Sequence, residues 1–274
     1  VSLRICLVFF SQLLATTLWS ALPASAQSIR VFTEVIDVSQ PEQPQPLSHS
    51  VTYFHAGRVY DYMPDLGEVV IFEPDHHRFI ILGNNYVATE VSFAEVNHFL
   101  ESAEQEAQKL IGEYSKSSEP HALQNAALLQ FQLNPNFQEE LSNGNTQLTL
   151  LGSQLDYQVT GTQMSDSTVT QEYLDYADWT KRLNYVLHPQ PTLPHPRLQL
   201  NQALRKHNLL PRTVEVTLHV EPRVKLRAVH DYSDKLQSID RQSISRWERT
   251  LQGEEVRWMT FQEYQQFLIA QVQR

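Results

Sequence analysis

Two hydrophobic periods alternate along the chain, one of two residues and one of three to four. Residues 29 to 38, IRVFTEVIDV, alternate loosely and are rich in β-branched side chains, which predicts a strand. SQPEQPQPLSHS, residues 39 to 50, then carries three prolines and almost nothing apolar, and reads as a loop or arm. A run of short strands follows: VTYFH, RVYDY, EVVIF and RFIIL. Ala56-Gly57 supplies the positive φ of a tight hairpin, Asp65-Leu66-Gly67 makes the next bend, and Pro74 with Asp75 sets a turn before RFIIL resumes. EVVIF and RFIIL are apolar on both faces, so both faces of these strands must be covered.

The covering elements are read from the longer period. Ser92-Phe93-Ala94-Glu95 is a capping box, and Val96, Leu100, Ala103, Ala107 and Leu110 recur at helical spacing up to about Tyr114. A second helix is expected after Pro120, with a stripe of Leu123, Ala126, Ala127 and Leu133, and a third from about 169 to 187, with Tyr176, Trp179, Leu183 and Val186 on one face. TQLTLLG and LDYQVTG form a hairpin around Ser153-Gln154. After a proline-rich stop and a short helix, TVEVTLHV and RVKLRAVHDY read as a two-strand ribbon with one wet face. Helices near 238 to 251 and from Thr260 close the chain, the last with the capping box Thr260-Phe261-Gln262-Glu263.

Strands in antiparallel runs interrupted by helices predict an α+β class: a curved antiparallel sheet, half-barrel-like, packed against several helices. We expect one domain over residues 27 to 274, with the proline-rich loop at 39 to 50 and helical insertions near 93–133 and 169–206. Residues 1 to 26 carry a basic residue, Arg4, an apolar stretch from Ile5 to about Trp19, and small residues ending Ala24-Ser25-Ala26, the three parts of a secretory signal. That predicts an exported protein, periplasmic or extracellular, with no stable membrane insertion after cleavage.

Charge and cysteine narrow the chemistry. The 274 residues carry a formal net charge of −10, and loss of Arg4 with the leader makes the remainder more acidic, which disfavours nucleic acid and anionic membrane surfaces as partners. The single cysteine, Cys6, lies in the leader, so the rest of the chain has neither a disulfide nor a thiolate ligand. No G-x-S-x-G elbow, H-E-x-x-H pair, phosphate loop or dinucleotide fingerprint occurs, and no cofactor is expected.

Three sets of candidates remain. His76 and His77, beside Asp75, are candidate metal ligands; neighbouring side chains in an extended segment point apart, which favours a solvated turn. His230, beside Asp231, is a candidate catalytic base, with a hydrogen-bonded core histidine as the alternative. His188 and His195 flank prolines, as surface residues or weak ligands. Tyr53, Tyr60, Tyr62, Phe72 and Phe79, with Phe54 beside Tyr53, crowd the strand run and either line a cavity for an apolar ligand or meet the helices in a dry core.

TYFHAGRVYDYMPDLGEVVIFEPDHHRF together with EYLDYADWTKRLNYVLHPQ looks like a group of exported proteins of planctomycete-type bacteria, a resemblance that brings no activity with it. At the level of strand and turn pattern, GRVYDY followed by VVIFEPD resembles the half-barrel of periplasmic lipoprotein carriers. That resemblance implies a curved sheet that shelters acyl chains. The function expected is therefore a non-catalytic binding protein of the cell envelope, for a lipid, a lipoprotein acyl chain or another apolar small molecule. The alternatives are a periplasmic hydrolase using His and Asp/Glu, or a module that docks on an envelope protein.

Overall fold

The computed structural model describes residues 28–187 and 192–272. The leader and His188 lie outside the described residues. Among the described residues twelve strands form one open, curved sheet, and six α-helices pack on it, an α+β architecture. The elements are β1 (Ile29–Asp37), β2 (Gln45–His55), β3 (Arg58–Met63), β4 (Glu68–Glu73), β5 (Arg78–Leu82), β6 (Val87–Ser92), α1 (Phe93–Tyr114), α2 (Pro120–Leu133), β7 (Gln138–Ser142), β8 (Gln147–Leu151), β9 (Leu155–Gln163), α3 (Ser167–Leu187), α4 (His195–Lys206), β10 (Leu209–Leu218), β11 (Val224–Ser233), α5 (Ser238–Leu251), β12 (Arg257–Met259) and α6 (Phe261–Val272).

The sheet is two antiparallel meanders joined at the first strand. Its order is β12-β6-β5-β4-β3-β2-β1-β11-β10-β9-β8-β7, so β1 sits at the centre between its own hairpin partner and a strand almost two hundred residues later. Thr33 is opposite Ser50 on β2 and His230 on β11. Among the described strands only the edge pair, β12 with β6, is parallel.

The doubly apolar strands are buried on both faces. Val70, Phe72, Phe79, Ile81, Val87 and Val91 belong to the main core, beneath α1, α3 and α6. Val69, Ile71, Leu82 and Ala88, one residue out of phase with them, meet Leu236, and Ile244 and Trp247 of α5, on the other face. Further along the sheet that second face is wet. There Glu215 of β10 holds Lys225 and Arg227 of β11 at 2.7 and 2.6 Å, while Val214 belongs to the buried core of the first face and Val216 and Ala228 pack against it.

Three expectations are corrected. The proline-rich loop is shorter than residues 39 to 50, because β2 begins at Gln45 and pairs Pro46 with Ile36. Residues 45 to 50 pair only with β1, and the register shifts between Val35 and Ile36, so a proline is tolerated beside an irregularity and an unpaired edge. The strand β7, too polar to stand out by period, completes the far edge beside β8. On α2 the buried residues are Ala126, Phe131 and Gln132, whereas Leu123 is exposed; Gln132 turns inward because its Oε1 accepts from the backbone N–H of Leu193 at 2.7 Å.

Candidate functional site

Two turns and one helix make a cleft of about 750 Å³. The β2–β3 turn has Ala56 and Gly57 at φ 51° and 76°, which brings His55 and Arg58 to the end of the sheet. The β4–β5 turn is a 3₁₀ turn over Pro74–His76, closed by His77 at φ 52°. α3 crosses above both turns, and its Glu172, Asp175 and Asp178 recur at intervals of three, with Trp179 and Arg182 beside them on the cleft wall.

The cleft has an aromatic floor and a charged rim. Phe54, Phe72 and Phe93 lie at the bottom; Phe93 stacks on Trp179 at 3.7 Å between centroids and on Phe72 at 5.6 Å. The Arg182 guanidinium lies 5.1 Å from the Trp179 ring centroid, a cation–π contact that steadies the indole. Burial pushes the Arg182 guanidinium below its ordinary range, and Arg205 pushes the same way against the pull of Asp178. Asp175 and Asp178 both meet Arg205 of α4, at 2.7 and 2.8 Å. Glu172 has no such cation among the described residues; burial, then Asp166 and Asp175, raise its carboxyl.

Behind the floor stands a wall. Phe54 packs edge-on against Tyr176 at 5.6 Å and tilted against Tyr173 at 6.3 Å. Asp61, buried beside this wall, accepts from Thr52 Oγ1 at 2.8 Å. Burial raises the Asp61 carboxyl, opposed by the hydrogen bonds from Tyr176, Thr52 and Ser50. A second recess, of about 610 Å³, lies on the α5 side of the same two turns. Its wall is a charge lattice: Arg58 joins Glu73 at 2.8 Å and Glu248 of α5 at 3.3 Å, and Tyr60 Oη donates to Glu248 at 2.7 Å. Burial and the Glu248 bond push the Tyr60 phenol up to about 12.

The five candidate rings do not converge. Tyr53, Tyr60 and Tyr62 surround Trp247 of α5, at 6.1, 6.4 and 5.2 Å, on one face of the sheet. Phe72 and Phe79 are on the other face, 5.3 Å apart, and of the five only Phe72 lines the cleft. The reason is parity, since Phe72 and Tyr60 both lie in the run but at positions of opposite side in paired strands.

The two histidines of the turn also part. His76 faces the recess and lies 3.4 Å from Glu73, while His77 lines the cleft with its ring edge against Phe93 at 5.8 Å. Among the described residues no group of three or more His, Cys, Asp or Glu is placed to hold a metal. His195 starts α4 and pairs with Glu104 of α1 at 3.1 Å. His230 lies behind the aromatic wall, its Nδ1 2.9 Å from Thr33 Oγ1, and Asp231 falls on the opposite face of β11.

Among the aromatic residues of the strand run, sequence reasoning named Phe54 and Phe72 for an apolar cavity; it named His77, Phe93 and Trp179 for other reasons and missed the carboxylates of α3 as a set. The three-residue spacing of Glu172, Asp175 and Asp178 was the available signal, but nothing local says which helix face meets a cleft. No family model matches the chain, and a search of curated proteins found no match.

Proposed function

We propose that the protein is a non-catalytic binding protein of the cell envelope that holds the apolar part of a lipid or acyl chain in the cleft over Phe54, Phe72, Phe93 and Trp179. The observation that carries this reading is the aromatic floor itself, open at the mouth and stiffened by the Phe93–Trp179 stack. Concave sites lined by large apolar rings with a few polar groups at the rim suit ligands that bury an apolar body and keep a polar end wet. A catalytic reading finds less support: His77 is turned onto Phe93, His55 Nδ1 lies against Ser28 Oγ at 3.3 Å, and neither is hydrogen-bonded to a carboxylate of the rim. An exported location fits the leader-like residues 1 to 26.

Titration with the neutral apolar fluorophore N-phenyl-1-naphthylamine tests it. The chain is expected to take up one probe, quenching Trp179 emission, and Trp179→Ala is expected to weaken uptake at least fivefold with little change in thermal midpoint. Ala56→Trp, at the exposed turn over the mouth, is expected to block uptake by filling it. Equal uptake by all three proteins, or none by the parent, would sink the reading.

A further inference from the structure

The charges around the cleft are unequal, and the imbalance bears on the head that its ligand carries. Six charged side chains line it, the acidic Asp75, Glu172, Asp175 and Asp178 against the basic Arg58 and Arg182. Both cations are engaged. Arg58 is drawn toward the recess by Glu73 at 2.8 Å and Glu248 at 3.3 Å, and Arg182 lies 5.1 Å from the centroid of the Trp179 ring.

The carboxylates are left short of positive charge. Arg205 of α4 is shared between two of them, 2.7 Å from Asp175 and 2.8 Å from Asp178, and Asp178 also accepts from Asn201 at 2.7 Å. Glu172 and Asp75 are exposed, and neither meets a cation at ion-pair distance among the described residues. On α3, Glu172 precedes Asp175 by three residues, about 4.5 Å along a helix axis, so the two stand one above the other on the cleft wall. A ligand cation at that place relieves the repulsion between them, and an anion adds to it.

The space beneath suits an apolar body. Its floor is Phe54, Phe72 and Phe93, and its volume of about 750 Å³ falls within the range of roughly 300 to 1,000 Å³ that small-molecule sites occupy. An anionic head would find Arg182 there, but beside Asp178, whose charge acts on the same guanidinium.

We propose that the cleft selects a cationic amphiphile, a primary amine or quaternary ammonium on a single apolar chain, with its nitrogen beside Glu172 and Asp175 and its chain over Phe54, Phe72 and Phe93. This rests on the cleft reading above and narrows it. The rings accept any apolar body, whereas the acidic wall favours one sign of head.

Displacement of bound N-phenyl-1-naphthylamine from the full chain tests it, with dodecyltrimethylammonium, dodecanol and dodecanoate as competitors below their micellar concentrations, at a pH where the acid is ionised. Dodecyltrimethylammonium is expected to displace the probe at about fivefold lower concentration than dodecanol, the upper end of what an exposed ion contact supplies, with dodecanoate weakest. Glu172→Gln is expected to bring ammonium and alcohol within about twofold of each other while leaving uptake of the neutral probe unchanged. Glu172→Lys is expected to reverse the order in favour of dodecanoate. Glu113→Gln removes an equal charge from an exposed position of α1 outside the cleft lining, and is expected to leave the preference as it was.

Equal displacement by the three competitors, a preference for dodecanoate in the unaltered chain, a preference that survives Glu172→Gln, or one that Glu113→Gln alters as much, overturns the inference. In each of those cases the probe is still taken up, and the cleft reading stands. Failure of the unaltered chain to take up the probe overturns both.

Discussion

Tyr264 Oη donates a 2.6 Å hydrogen bond to Glu68 Oε2, joining the last helix to β4 across 196 positions, with both side chains almost wholly buried. The bond fixes α6 on the sheet. It also fills the space over Gly83, where an added Cβ would stand 2.7 Å from the same hydroxyl. Removing the donor leaves a buried carboxylate oxygen short of one charge-assisted bond, at a cost of about 1.5 to 3 kcal/mol. Tyr264→Phe is therefore expected to lower the unfolding free energy by that amount, read as a lower urea midpoint at unchanged slope. An unchanged midpoint would mean that water replaces the hydroxyl freely.

Glu73 is 2 % exposed and holds two arginines, Arg58 at 2.8 Å and Arg78 at 2.7 Å. Both arginines reach solvent, so the loss in Glu73→Gln should fall below the 3 to 5 kcal/mol of a fully buried pair, at about 2 kcal/mol. Arg78→Gln leaves Arg58 to hold the carboxylate and is expected to cost less. Denaturant unfolding of the two variants gives the order, and a larger loss in Arg78→Gln would place the main contact elsewhere.

The sign of the His230 effect on stability follows from its folded-state pKa, which lies near 3, below the ordinary 6.5 of an unfolded chain. Between those values the unfolded chain binds the extra proton. His230 thus adds no pH dependence above about pH 6.5, and its destabilising contribution grows as pH falls from 6.5 toward 3, by up to roughly 1.4 kcal/mol per pH unit. His230→Gln is expected to flatten the acid limb of a stability–pH profile between 6.5 and 4. A limb of the same slope in both proteins would show that the ring is charged in the folded state.

Two glycines should respond with opposite sign. On β9, Gly161 has the carbonyl oxygen of Leu210 2.6 Å and Leu209 Cγ 2.7 Å from where a Cβ would sit, so Gly161→Ala forces the β9–β10 pair apart and costs about 1 to 3 kcal/mol. In α1, Gly112 has open space around it, and Gly112→Ala is expected to stabilise by up to about 1 kcal/mol through helix propensity. Thermal melts of the pair check both, and a stabilising Gly161→Ala would contradict the close approach of Leu209 and Leu210 to β9.

The local devices were legible because each is written within a few residues. The capping boxes before α1 and α6 appear as expected, with Ser92 and Thr260 accepting from the backbone of Glu95 and Glu263. The Ala56-Gly57 hairpin, the turn at Pro74 and the wet face of the β10–β11 ribbon do too. Double-sided burial of β4 and β5 was also written in the letters, since strands without a polar face have no stable place in water.

Most of the elements, their α+β class and the demand for cover on two faces therefore follow from local pattern. Long-range packing set the rest: β1 joins two meanders at the centre, α5 takes one face of the sheet while α3 crosses the other, and Tyr60 and Phe72 end up on opposite sides. It likewise set His230 against Thr33 of β1 with Tyr173 of α3 at its side, and brought His77 to the mouth of a cleft that His76 does not share. Period and propensity act over a turn or a strand, whereas pairing across β1 and β11 and packing across α3 and α4 depend on contacts between residues far apart in the chain, which no local pattern encodes.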